Sequence, residues 1–141
     1  MAQRHNFRNL KTWKLAMDLV DDVYEITSHL PKDERYGLRS QMTRCSVSIP
    51  SNIAEGSAKR SNKDFIRFLG ISLGSAYELE TQLTICQRRR MLPEEQLLRC
   101  LDLTQEIQRM LTGFQNYLAK PTTHSSTLHD DGGQFYQGFE F

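Results

Sequence analysis

Apolar side chains recur three and four residues apart along four long stretches of this chain, and each stretch stops beside a proline or glycine. That spacing buries one stripe of each helix and leaves the remainder to solvent, so it selects helices packed on helices; half-buried strands would alternate with a period of two. In the first stretch, residues 8–29, Leu10, Trp13, Met17, Val20, Tyr24 and Thr27 form one stripe, and Ala16, Leu19, Val23, Ile26 and Leu30 form its neighbour. A face that wide is expected to be touched on two sides. Leu30-Pro31 closes the stretch, because the residue before a proline is driven out of the α region.

The second helix is predicted from Lys32 or Asp33 to about Glu55, on Leu38, Met42, Cys45, Ile49 and Ile53. Pro50 lies inside it, where a proline removes one backbone hydrogen bond and costs about 3 kcal/mol. The apolar period passes from Ile49 to Ile53 in phase, which favours one long bent helix over two short ones. Gly56 reads as the residue just past the helix end, and Ser61-Asn62-Lys63-Asp64 as a capping box with aspartate in place of the usual glutamate. A third helix is predicted over residues 62–89, with Phe65, Leu69, Ser72, Ala76, Leu79, Leu83 and Cys86 on its stripe. Within it Gly70 and Gly74 each lower helix propensity by about 1 kcal/mol relative to alanine, so both are expected to admit a close neighbouring backbone, the plainer alternative being that the helix simply tolerates them.

Leu92-Pro93-Glu94-Glu95 opens a fourth helix, since proline and acids are favoured in a first turn. It runs through Leu97, Leu101, Thr104, Gln108, Leu111 and Leu118 and stops before Pro121. Short links make consecutive helices antiparallel neighbours. The expected fold is therefore all-α: an antiparallel up-and-down four-helix bundle over residues 1–120, followed by a flexible polar C-terminal tail over residues 121–141. Trp13, Leu38, Ile49, Leu69, Leu83 and Leu111 should point inward or into subunit contacts, with Met110 and Phe114 protected. Phe135, Tyr136, Phe139 and Phe141 leave a second reading of the tail open, in which its end docks on the bundle or on a neighbouring subunit.

Recognisable catalytic patterns are missing. There is no GxxxxGK loop, HExxH or EF-hand, and no ExxH pair of the kind that holds two metal ions in a bundle. His5, His29, His124 and His129 share no helical spacing, and Cys45, Cys86 and Cys100 read as small buried hydrophobes. Neither enzymatic activity nor a metal or other cofactor is expected. No run of about 18 apolar residues could cross a bilayer, and MAQRHNFRNL lacks the apolar stretch of a secretion signal, so a cytoplasmic location without a membrane partner is expected. The net charge of +1 hides a division: all 18 Lys and Arg lie within residues 1–120, while the tail carries Asp130, Asp131 and Glu140. Lys59, Arg60 and Lys63, together with Arg88, Arg89 and Arg90, are the candidate contacts to the phosphates of RNA or DNA. The arginine triplet also has a plainer reading, as a solvated helix end whose cations complement the helix dipole.

A family pattern runs through residues 7–119. Phe7-Arg8-Asn9-Leu10 with Trp13 and Ala16, Glu34-Arg35-Tyr36-Gly37-Leu38, Gln41, Arg44, Ser48-Ile49-Pro50-Ser51-Asn52-Ile53-Ala54-Glu55-Gly56, and Gly74-Ser75 with Glu78-Leu79-Glu80-Thr81-Gln82-Leu83 carry it. They resemble the four-helix-bundle proteins encoded in intervening sequences of 23S ribosomal RNA genes, also called S23 ribosomal proteins. The resemblance implies a subunit that assembles into a homo-oligomeric ring, a pentamer. More distantly, the chain is similar to accessory variability proteins of diversity-generating retroelements, whose basic rings bind nucleic acid and a reverse transcriptase. It lies closer to the intervening-sequence branch and has no reverse-transcriptase chemistry of its own. Within the shared segment Pro50, Asn52, Glu55 and Gly56 read as structural: Asn52 can satisfy a backbone group released by Pro50, and Glu55 can support the turn or pair with a neighbouring subunit. Two functions follow as expectations: an adaptor that binds RNA or DNA without sequence preference, or a structural, protein-binding scaffold.

Overall fold

The computed structural model describes residues 6–121, 135–136 and 139–141. Four helices account for most of them: α1 (Lys11–Thr27), α2 (Leu38–Ser57), α3 (Asn62–Arg88) and α4 (Glu94–Ala119). Contacts between them fix an up-and-down order. Between α2 and α3, Ser72 Oγ donates to the Ile49 carbonyl at 2.8 Å and Gln82 Nε2 approaches Cys45 Sγ at 3.7 Å, so the partner number on α2 falls as that on α3 rises. The same inversion joins α3 to α4, where Gln115 Nε2 donates to the Ile66 carbonyl and Gln105 Nε2 to Glu80.

The core follows the predicted stripes. Ala16, Leu19, Val23 and Ile26 of α1 meet Met42, Ile49 and Ile53 of α2, Leu69, Leu79 and Leu83 of α3, and Ile107, Leu111 and Phe114 of α4, all buried. Trp13, Leu38 and Met110 are half-buried at its margin. Of the two α1 stripes, the second is buried from Ala16 to Ile26 and half-buried at Leu30, whereas Met17 and Tyr24 on the other remain exposed.

Several boundaries depart from expectation, each for a local reason. The first helix starts at Lys11 rather than residue 8, because Phe7–Asn9 makes a 3-10 turn and Leu10 is extended. The second starts at Leu38, not Lys32: Lys32–Glu34 form a separate 3-10 turn, and Glu34 Oε2 accepts the Leu38 N–H at 3.2 Å, capping α2 from outside. Pro50 leaves α2 uninterrupted. Gly56 is not a terminator but lies within α2, against α3; a Cβ there would sit 2.7 Å from Phe68 Cβ and 2.9 Å from Phe65 Cδ1. Gly70 leaves room for Gln115 to cross from α4, whereas a Cβ on Gly74 would meet nothing within 4 Å, so the expected close neighbour is absent there. Ser61 caps α3 as predicted, its Oγ accepting the Asp64 N–H at 3.1 Å.

Beyond Pro121, β1 (Phe135–Tyr136) and β2 (Phe139–Glu140) pair antiparallel, Tyr136 facing Phe139. Phe141 is buried, its ring stacked on Phe114 at 4.8 Å between centroids. The expectation of a flexible tail falls largely on residues 122–134 and 137–138, which lie outside the described residues.

Candidate nucleic-acid interface

Alternating helix direction sorts the sequence positions into two ends and a waist. One end collects the start of α1, the α2–α3 turn and the last turn of α4; the other collects the α1–α2 connection and the α3–α4 turn. Lys59, Arg60 and Lys63 therefore lie at the first end and Arg88, Arg89 and Arg90 at the second. The 27 residues of α3 set about 40 Å between them, at about 1.5 Å per residue. The two predicted clusters do not converge on one site.

At the first end Lys59, Arg60 and Lys63 are exposed and are joined by Arg8, Lys11, Lys14, Arg67 and Lys120, which are not among the phosphate contacts expected from the sequence. Among the described residues the acids at this end are Glu55, Asp64 and Glu140. Phe68 organises part of this surface: Lys59 Nζ lies 5.0 Å and Arg67 Cζ 4.7 Å from its ring centroid. A cation held over a ring face is restrained, so it loses less freedom when it meets a phosphate. Arg8 stands likewise over Phe7 at 4.6 Å.

The triplet at the second end closes α3. The Met91 N–H donates to the Cys86 carbonyl at 3.0 Å and the Arg90 N–H to the Gln87 carbonyl at 3.2 Å, which is the double bond of a Schellman cap. Such a cap needs a left-handed residue, and Arg90 occupies it with φ 55°, where glycine is the usual occupant. All three arginines are exposed, with Lys32, Arg35 and Arg39 at the same end, where the acids Asp33, Glu34, Glu94 and Glu95 also stand.

The waist is acidic. Asp18, Asp21, Asp22 and Glu25 line the outside of α1, Glu78 and Glu80 stand on α3, and Asp102 and Glu106 on α4, against Arg44, Arg99 and Arg109. Asp22 is held above the ordinary carboxylate range by burial first and by Asp18 next. Glu80 is held by two amides, accepting from Gln105 Nε2 at 2.9 Å and Gln108 Nε2 at 3.2 Å.

Around Pro50 the polar side chains tie helices together. Asn52 Nδ2 donates to the Ser48 carbonyl at 2.8 Å, not to Ser46, whose helical partner the proline removes; Ser48 Oγ in turn meets Ser75 Oγ at 2.9 Å. Glu55 is exposed. The three thiols are buried, and burial pushes Cys45 and Cys100 up to about 11, so they are not nucleophiles near neutral pH. Among the described residues no group of three or more His, Cys, Asp or Glu could hold a metal ion, and no helix is long and apolar enough to cross a membrane.

Comparison with known proteins agrees with this geometry. No curated protein matches the chain. A crystal structure of a protein of unknown function from the S23 ribosomal protein family of Bacteroides thetaiotaomicron VPI-5482 superposes with a TM-score of 0.67 at 23% identity, covering 74% of this chain and 97% of that one. At that identity the likeness is one of fold. The sequence model of the 23S rRNA-intervening sequence proteins matches residues 8–113, well over half the length, and the chain belongs to that family.

Proposed function

We propose that this protein is a self-assembling four-helix subunit, a homopentamer in its assembled state, that binds RNA or DNA without strong sequence preference through the cations at its bundle ends. The observation that carries the reading is the bias of charge along the bundle axis among the described residues: cations outnumber carboxylates at both ends, by more at the first than at the second, and carboxylates outnumber cations at the waist. A polyanion approaching an end meets Lys59, Arg60, Lys63 and Arg67, or Arg88, Arg89 and Arg90, without crossing the acidic belt. Phosphate contacts of this kind position a strand without reading its sequence. Repetition around a ring multiplies contacts that are weak in one subunit.

Self-association is supported by apolar side chains the bundle leaves outside. Met17 on α1, Val47 on α2, Ile71 and Ile85 on α3 and Leu98 on α4 are all exposed. The same exposure favours a second reading, a protein-binding scaffold whose cations only keep it in solution.

A salt-dependent titration with RNA and DNA, on a sample whose mass is measured in parallel, separates them. Charge reversal at Arg60, Arg88 and Arg90 is expected to leave assembly intact, weaken binding and flatten its salt dependence. Unchanged binding by an intact variant removes the electrostatic surface. A particle of 16.4 kDa at micromolar concentration removes the assembly, and a native protein that binds neither polymer at low salt leaves the scaffold.

A further inference from the structure

At the second end an open groove of about 960 Å³ runs between the last turn of α1 and the first turns of α2. Its volume is within the range of sites that take small molecules, about 300–1,000 Å³, but its lining is neither closed nor apolar. Lys32, Arg35 and Arg39 supply cations, Tyr24 and Tyr36 supply rings, and no carboxylate is among the described lining residues. Tyr36 is 86% exposed and Tyr24 53% exposed. The Arg35 guanidinium stands 5.4 Å from the Tyr36 ring centroid and leaves most of that ring to solvent. Asp33 and Glu34 share the turn with Lys32; the Glu34 carboxylate is engaged in capping α2 through the Leu38 N–H, and Asp33 is exposed outside the groove lining.

We infer that this groove binds a single strand of nucleic acid, with a base stacked on Tyr36 and the flanking phosphates met by Lys32, Arg35 and Arg39. The inference rests on the nucleic-acid reading above and sharpens it. A cationic end alone serves duplex and single strand alike, whereas an exposed ring beside cations rewards a polymer whose base faces are free. Duplex bases are already stacked on one another and cannot offer a face, so the groove selects unpaired strand. The stack is indifferent to which base is offered, which agrees with weak sequence preference.

The test compares binding of a fluorescent oligouridine and a fully paired RNA duplex of equal length by the full chain, with particle mass followed in parallel. The native protein is expected to prefer the oligouridine. Tyr36→Ala should weaken oligouridine binding roughly 5- to 100-fold, the effect of losing one base–aromatic stack, and abolish the preference, while Tyr36→Phe, which keeps the ring, retains both. Equal binding of strand and duplex, unmoved by Tyr36→Ala, overturns the groove and leaves the basic ends standing. Binding of neither polymer by the native protein overturns both. If Tyr36→Ala dissociates the assembly, the groove is a contact between copies, and if oligoglutamate binds in a Tyr36-dependent way in place of oligouridine, its ligand is an acidic polypeptide; either result overturns the inference.

Discussion

The main-chain oxygen of Phe141 accepts two hydrogen bonds from Thr12, one from its N–H and one from its Oγ1, both at 2.7 Å. Thr12 is the second residue of α1, where backbone donors have no helical partner, and Leu10 at the N-cap offers no side-chain acceptor. Phe141 thus caps α1 from 129 residues away in sequence while its ring packs on Phe114 and, at 5.8 Å, on Tyr117.

Truncating that ring should loosen the cap. Phe141→Ala is expected to cost about 2–3 kcal/mol, somewhat under the 3–5 usual for a buried phenylalanine, because Phe141 joins the core from outside the four helices and keeps part of its surface exposed. Amide exchange should quicken at Thr12 far more than at Ile49. Unchanged protection of Thr12 would contradict the capping role.

Two glycines should respond oppositely to the same substitution. Gly56→Ala places a methyl against Phe68 and Phe65, an overpacking expected to cost about 1–3 kcal/mol. Gly74→Ala meets nothing within 4 Å and should gain about 0.5–1 kcal/mol from helix propensity. Chemical denaturation of both variants checks the pair, and a loss at Gly74 equal to that at Gly56 would be incompatible with this packing.

Arg90 holds a left-handed conformation that costs a side-chain-bearing residue about 1–2 kcal/mol. Arg90→Gly is therefore expected to raise the melting temperature while removing one cation from the second end. If the variant melts lower, the arginine makes a stabilising contact that outweighs the strain.

Stability should fall in alkali. Cys45 and Cys100 ionise near 9 when unfolded and at about 11 when folded, because burial opposes the thiolate. Their contribution is complete below pH 9 and is lost as the pH rises through 9 to 11, since the unfolded chain sheds those protons first. Tyr117, raised by burial from 10.0, acts in the same direction. The denaturation midpoint is expected to drop across that window, and the double change Cys45→Ala, Cys100→Ala should flatten the drop.

Helix number, helix order and nearly all of the core were legible because each follows from local periodicity and from prolines and caps that act within a few residues. The place of Gly56 inside α2 is not legible for the opposite reason: nothing adjacent in sequence says that Phe65 and Phe68 will press on it. The cap supplied by Phe141 is equally long-range, and only the surplus of aromatic residues near it hinted at docking. For the candidate interface, sequence picked out cations that are neighbours along the chain, Lys59 to Lys63 and Arg88 to Arg90. It passed over Arg8, Lys11, Lys14 and Lys120, which antiparallel packing alone brings to the first end, and it gave no sign that Tyr24 on one helix and Tyr36 beyond the next turn share a groove.

Because neighbouring helices run in opposite directions, each end of the bundle presents two helix beginnings and two helix endings, whose partial charges of about +0.5 and −0.5 cancel. The backbone contributes no net charge there, and the net charge of either end is written in side chains alone. Those side chains are exposed and stand outside the core, so the sign and strength of either end can drift or be redrawn without disturbing the fold, and the two ends can diverge independently.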